Sequence, residues 1–162
     1  MKENLEILEI LEQNSKIQPE EIATLTGLSE GEVLKRIKEM EEKGIIRKYK
    51  TVIDWEKIDD EIVYAIIEVK IALARGIGYD SIAKRISRFP EVRSIRLVSG
   101  DHDLSITVKG RSMKEVAFFV AEKIASLDQV TSTCTHFVLK TYKEDGTFLY
   151  DEEKAERLVV SP

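Results

Sequence analysis

The chain has 162 residues, of which 43% are hydrophobic, and a formal net charge of −5 at pH 7. That length suits one medium domain or two small ones, with enough apolar content for a packed core. No run approaches the roughly 18 apolar residues of a membrane span, Met1-Lys2-Glu3-Asn4 opens an acidic helix and not a signal peptide, and the single cysteine, Cys134, excludes an intrachain disulfide, in keeping with a reducing cytoplasm.

Leu5, Ile7, Leu8 and Leu11 recur at spacings of three and four with glutamates between them, which predicts an amphipathic helix broken at Asn14-Ser15-Lys16. Pro19 suits the first turn of a second helix, whose positive N-terminal end Glu20 and Glu21 favour and whose inner side carries Ile22, Ala23 and Leu25. Gly27, in Thr26-Gly27-Leu28, is free to turn the chain in a left-handed conformation. Ser29 and Glu32 form a capping box for a third helix, which packs Val33, Ile37 and Met40 and stops at Lys43-Gly44. Alternation from Ile45 to Ile53 predicts strand, as in the β-hairpin of a winged helix-turn-helix, although no hairpin turn is evident. Residues 1–54 form this first domain and 55–61 a polar connector.

Beyond the connector the pattern becomes β-α-β-β-α-β. Val63 to Ile71 alternate in a strand punctuated by Gly76 and Gly78; Ile82, Ile86 and Phe89 mark a helix stopped by Pro90. Strands follow over Val92 to Val98 and Leu104 to Val108. A helix from Ser112 carries Val116, Phe119, Val120 and Ile124, and a last strand runs from Val130 to Tyr142. The fold class is α+β: a winged helix-turn-helix followed by a ferredoxin-like domain over 62–142, with both helices on one face of a four-stranded sheet. Residues 143–162 form a tail with a Glu-Asp-Gly turn and an acidic run.

The second helix of a helix-turn-helix reads base edges with the face opposite its packed one. Here that helix opens at Ser29 and leaves Glu30, Glu32, Lys35, Arg36 and Glu39 for contact; Lys35 and Arg36 can reach phosphate or guanine. Arg47 and Lys48 in the wing can hold backbone phosphates. Residues 1–54 carry nine Lys/Arg against twelve Asp/Glu, so double-stranded DNA must meet a local basic surface on an acidic protein. The competing reading is a three-helix bundle for protein contact, its charges a solvated face.

Gly100-Asp101-His102-Asp103 is a hairpin turn between the second and third strands. Its carboxylates and free backbone N–H groups also offer what an amino-acid zwitterion needs, and Thr131, Thr133 and Thr135 add hydroxyls along one face of the last strand. His102 lies between two carboxylates with His136 as the second imidazole, but adjacent residues rarely all point at one ion, so no metal site is assigned. Cys134 shares a strand face with Ser132 and His136 and lacks the turned geometry of an activated thiol. With no phosphate loop, dinucleotide fingerprint or Ser-His-Asp arrangement, neither a catalytic residue nor a cofactor is assigned. Tyr64, Ile66, Phe137 and Leu139 are expected on the uncovered sheet face, where two copies packing sheet to sheet would bury them. Such a homodimer sets two reading helices about one DNA turn apart for a pseudo-palindromic site.

The chain resembles the Lrp/AsnC, or feast/famine, regulators. The matching segments are Ile7-Leu8-Glu9-Ile10-Leu11, Glu21-Ile22-Ala23, Gly27-Leu28-Ser29, Val33-Leu34-Lys35-Arg36-Ile37, Met40 to Ile46, Leu97 to Asp103, and Val130 to Thr135, in order across residues 5–142. The resemblance implies a bacterial or archaeal transcriptional regulator whose RAM/AsnC-type domain dimerises through its sheet and often assembles into octamers. It also implies an amino-acid effector bound near Gly100, Asp101, His102 and Asp103, with Thr133 and Thr135 matching the threonines of the family's last strand. His102 stands where Tyr or Phe is usual, the N-terminus is short, and the tail from Lys143 is longer than the core pattern requires. An enzyme is not expected. Two alternatives are a siroheme-type tetrapyrrole decarboxylase on the same two-domain body, using His102 or His136, and a metabolite sensor that binds protein instead of DNA.

Overall fold

The computed structural model describes residues 2–58, 61–73 and 78–151. Gly76 of the expected inter-strand punctuation and the apolar Leu158-Val159-Val160 lie outside them. The chain divides into two compact units, Met1–Ile53 with Lys143–Pro162, and Asp54–Tyr142.

The first unit is built on α1 (Lys2–Gln13), α2 (Pro19–Thr26) and α3 (Glu30–Glu42). Their apolar faces meet in a core of Ile7, Ile22, Val33 and Met40, with Leu8, Leu11, Leu28 and Ile37 packed around it. The helix ends follow local signals. Pro19 begins α2, and Gly27 closes it at φ +70°. At the end of α3 the Ile45 N–H donates to the Met40 carbonyl (2.8 Å) and the Gly44 N–H to the Glu41 carbonyl (2.9 Å). Those two bonds form a Schellman motif, which needs the left-handed φ of +66° that Gly44 supplies.

Residues 45–54 correct the expected wing strand. They carry no ladder among the described residues; the alternation is there, but no turn brings a second strand back beside it. Side chains anchor the segment instead, the Ser15 hydroxyl donating to the Lys50 carbonyl (3.2 Å) and Lys50 Nζ pairing with Asp145 Oδ2 (2.6 Å). The hairpin of this unit comes from the tail, where β5 (Lys143–Glu144) pairs with β6 (Thr147–Phe148). Its two turn residues, Asp145 (φ +44°) and Gly146 (φ +79°), are both left-handed, as a two-residue loop matching strand twist requires.

The second unit follows the expected order: β1 (Val63–Ile71), α4 (Tyr79–Ile86), β2 (Val92–Leu97), β3 (Leu104–Gly110), α5 (Met113–Phe119) and β4 (Val130–Phe137). The sheet order is β2-β3-β1-β4, every pair antiparallel, which is the ferredoxin-like arrangement. A π-helical turn, Val120–Ile124, widens the end of α5; the Ala125 N–H reaches the Val120 carbonyl at 2.8 Å. It keeps Val120 and Ile124 in the core beside Ile82, Ile86, Ile67 and Ile106. β4 ends at Phe137, short of the expected Tyr142, although the Val138 N–H still donates to the Tyr64 carbonyl (2.9 Å).

Candidate nucleic-acid interface and effector site

The cap that starts α3 occupies two residues expected at DNA. Ser29 Oγ accepts the Glu32 N–H (3.3 Å), while Glu32 Oε2 accepts the Ser29 N–H (3.0 Å) and hydroxyl (2.7 Å). The Ser29 hydroxyl and N–H hold the Glu32 carboxyl below its usual range. Val33 and Met40 are buried and Arg36 is half-buried. The Arg36 guanidinium donates to Asn4 Oδ1 (2.8 Å) and pairs with Glu3 on α1, so it turns toward the neighbouring helix. Opposite the packed side, Gly31, Lys35, Lys38 and Glu42 follow one another at helical spacing and are all exposed. Lys38 was not among the sequence candidates, yet the helical period alone places it beside Lys35. Glu30 is exposed and Glu39 half-buried.

Arg47 and Lys48 are exposed on the extended segment after α3. The Arg47 guanidinium lies over Gly44, its Cζ 3.0 Å from where a Cβ on that glycine would stand. The neighbouring Tyr49 hydroxyl donates to Glu41 Oε1 (2.8 Å), and burial together with that bond pushes its pKa up to about 12.

In the sheet unit, Asp101 and Asp103 do different work. Asp103 Oδ2 accepts the Ile71 N–H (2.7 Å) and Oδ1 accepts the Tyr79 hydroxyl (3.1 Å), while its N–H donates to the Val69 carbonyl (3.0 Å). It therefore ties the turn to the end of β1 and the start of α4, and its carboxylate raises the Tyr79 pKa. Asp101 is exposed and bonded to His102 Nδ1 (2.9 Å), which keeps its carboxyl below the usual range. Gly100, at φ +144°, makes the bend before them.

The remaining candidates stand on the other side of the sheet. In the β1–β4 register Thr133 faces Val69, Thr135 faces Ile67 and Phe137 faces Ala65. Directly paired residues point the same way, and these partners are fully buried under the helices. Thr133 and Thr135 thus lie on the helix-covered side, whereas His102 approaches Glu68 on the open side at 3.8 Å. The same register corrects Phe137, which packs against the core. Leu139 lies beyond β4. Tyr64 and Ile66 are on the open face as expected, and the residues around them, Glu68, Lys70, Thr107 and His136, are polar.

The Lrp/AsnC ligand-binding domain model matches residues 64–148, and a winged helix-turn-helix DNA-binding model matches residues 4–47. The chain belongs to the Lrp/AsnC family. It is 47% identical over 158 residues to the uncharacterized HTH-type transcriptional regulator YugG of Bacillus subtilis, covering 97% of this chain and 95% of that one. Among solved structures it is similar to the transcriptional regulator NMB0573 of Neisseria meningitidis in complex with L-Met (27% identity, TM-score 0.69, 89% and 92% covered). It shares its fold with AsnC of E. coli (23% identity, TM-score 0.67, 89% and 95% covered). As a member of the Lrp/AsnC family this chain is a DNA-binding transcriptional regulator with a ligand-binding domain, and not an enzyme. The DNA-binding match spans all of α3 together with Arg47, and the ligand-binding match spans the turn from Gly100 to Asp103 and β4. No helix among the described residues is long and apolar enough to cross a membrane.

Proposed function

We propose that this Lrp/AsnC regulator acts in the cytoplasm as a homodimer on pseudo-palindromic double-stranded DNA, with an amino acid as its effector. The observation that carries the DNA contact is the outward face of α3, where Gly31, Lys35 and Lys38 are exposed together while Arg36 is engaged by α1. Gly31 lets the backbone approach the groove, and the two lysines supply the local positive charge that an acidic protein needs. Arg47 and Lys48 add phosphate contacts. Ser29 and Glu32 set where the helix begins, and Arg36 positions the helix on α1.

The effector class is supported by the L-Met complex of the Neisseria meningitidis relative. Asp101, exposed and held in its anionic form beside His102, suits an ammonium group; Asp103 holds the turn in place. Gly100 brings backbone N–H groups of the turn near the ligand. Thr133 and Thr135 contribute from the helix-covered side of β4.

Two measurements test this. Selection from a random duplex pool should enrich a two-fold symmetric sequence. Lys35→Ala with Lys38→Ala should then abolish specific binding and lower the salt slope by about 0.9 for each phosphate that the lysines no longer neutralise. Normal operator binding by that double variant would show that another element reads the DNA. A thermal-shift screen of the twenty amino acids should reveal at least one stabilising ligand, and Asp101→Asn should cancel the shift. No shift with any of them would remove the amino-acid effector and leave the DNA reading intact.

A further inference from the structure

Three cations, Arg47, Lys48 and Lys50, stand on the segment that follows α3. Arg47 and Lys48 are placed at backbone phosphates; Lys50 has no part in that contact. Its place is fixed from within the helical unit, because the Ser15 hydroxyl, in the turn between α1 and α2, donates to its carbonyl (3.2 Å). Its ammonium is engaged as well. Nζ lies 2.6 Å from Oδ2 of Asp145, 95 residues further along the chain at the tip of the β5–β6 hairpin. Lys50 and that hairpin belong to the same compact unit.

The hairpin does not need this acid. A two-residue loop with both residues left-handed takes Asn-Gly as readily as Asp-Gly. The turn of Asp145 (φ +44°) and Gly146 (φ +79°) therefore calls for a short polar side chain and not for a charge. Nor is the pair a firm anchor. Its side chains are 58% and 57% exposed, and solvated ion pairs contribute little to stability. What such a pair does readily is exchange. A carboxylate oxygen hydrogen-bonded to an ammonium stands where a phosphate oxygen would, with the same sign of charge and the same charge-assisted bond.

Given the DNA contact proposed for this unit, on which the inference rests, we propose that Lys50 is a further phosphate contact and that Asp145 occupies it until duplex displaces the carboxylate. The tail hairpin is thus an autoinhibitory strap on the DNA-binding unit. Binding breaks the Lys50–Asp145 pair and forms a Lys50–phosphate pair, so the internal pair lowers the affinity for DNA. By reciprocity, bound duplex loosens the hairpin from Lys50.

The test is a double-mutant cycle on the full chain, read by anisotropy with the selected duplex and with an unrelated duplex of equal length. Asp145→Asn keeps the turn and removes the charge, and should tighten both duplexes by about two- to fivefold. Lys50→Ala should weaken binding by about that factor more in the Asp145→Asn background than in the parent. Glu144→Gln removes an equal charge one residue away, and its effect should be the same with or without Lys50. Asp145→Gly, which also accepts a left-handed turn, should repeat the result of Asp145→Asn, and circular dichroism checks that each variant folds. Independent effects of Lys50 and Asp145 would overturn the proposal, as would a Lys50→Ala that leaves affinity unchanged in both backgrounds. Phosphate contacts carry no sequence information, so the cycle on the unrelated duplex stays decisive even where Lys35→Ala with Lys38→Ala binds normally and the α3 reading fails. A parent chain that binds neither duplex overturns both.

Discussion

The two units of this chain rest on cores of different size. Among the described residues, the helical unit buries four side chains, Ile7, Ile22, Val33 and Met40, against fourteen in the sheet unit. Burial stabilises roughly in proportion to the apolar area removed from water, so the helical unit depends more on its helix caps and on pairs such as Arg36 with Glu3 and Asn4. The DNA-reading part is thus the one that a single core deletion should disable. Its companion has neighbours to spare.

The sharpest way to break that comparison is Ile22→Ala. Removing a fully buried side chain costs about 2–5 kcal/mol, a large fraction of what a small unit possesses. The expected outcome is loss of helical circular dichroism and of specific DNA binding at ambient temperature. Trp55, the only tryptophan, belongs to the sheet unit and should keep its emission. Ile106→Ala, with a comparable local cost, should leave both units folded and lower only the midpoint reported by Trp55. If Ile22→Ala shifts helicity and Trp55 emission together, the units melt as one and the contrast disappears.

A smaller effect compares two carboxylates in one turn. Asp103→Ala leaves the Ile71 N–H and the Tyr79 hydroxyl without their acceptor, which should cost about 1–3 kcal/mol. Asp101→Ala, at an exposed position, should stay within about 0.5 kcal/mol of the parent. Denaturant midpoints followed through Trp55 decide this, and equal losses would mean that both aspartates serve the fold.

What the sequence disclosed follows the same division. The start and stop of α3 were legible because their causes are local: Ser29 and Glu32 are three residues apart, and Gly44 acts on the turn it follows. The β-α-β-β-α-β order was legible from periodicity. Which face β4 turns to the helices was not, because it depends on register against β1, some 66 residues away, and a slip of one residue reverses every side chain. That is why Phe137 was expected on the open side, and why the turn of Thr133 and Thr135 toward the helices, opposite Val69 and Ile67, was not legible. The partners of Arg36 were not legible for a similar reason. Its spacing shows a helix flank, but its partners Glu3 and Asn4 lie on another helix. Between Ile45 and Ile53 the alternation was real, and only a partner strand was lacking.

The Arg36 assignment can be set against Lys35 on the same helix. Arg36→Ala should lower the stability of the helical unit by up to about 1 kcal/mol, since its pair with Glu3 is partly solvated. Lys35→Ala should leave stability unchanged and weaken DNA binding. Thermal melts and anisotropy titrations on both variants give four numbers. The opposite pattern, with Arg36→Ala harming only DNA affinity, would return the guanidinium to the groove.

The smallest expected effect concerns pH and the cap of α3. Ser29 holds the Glu32 carboxyl below the ordinary value of 4.5, so the unfolded chain binds this proton more readily than the folded one. Stability from the capping box is therefore fully present above the unfolded pKa and is lost as pH falls through the lowered folded value. The positive end of the helix adds to the preference for the carboxylate. Glu32→Gln keeps a side chain that can reach the Ser29 N–H but removes the charge. The difference in helical-unit melting temperature between parent and variant should be flat from about pH 7 down to about pH 5, then shrink with further acidification. A difference that holds constant to about pH 3 would mean that the carboxylate's charge contributes nothing to the cap, and that α3 begins at Ser29 through hydrogen bonding alone.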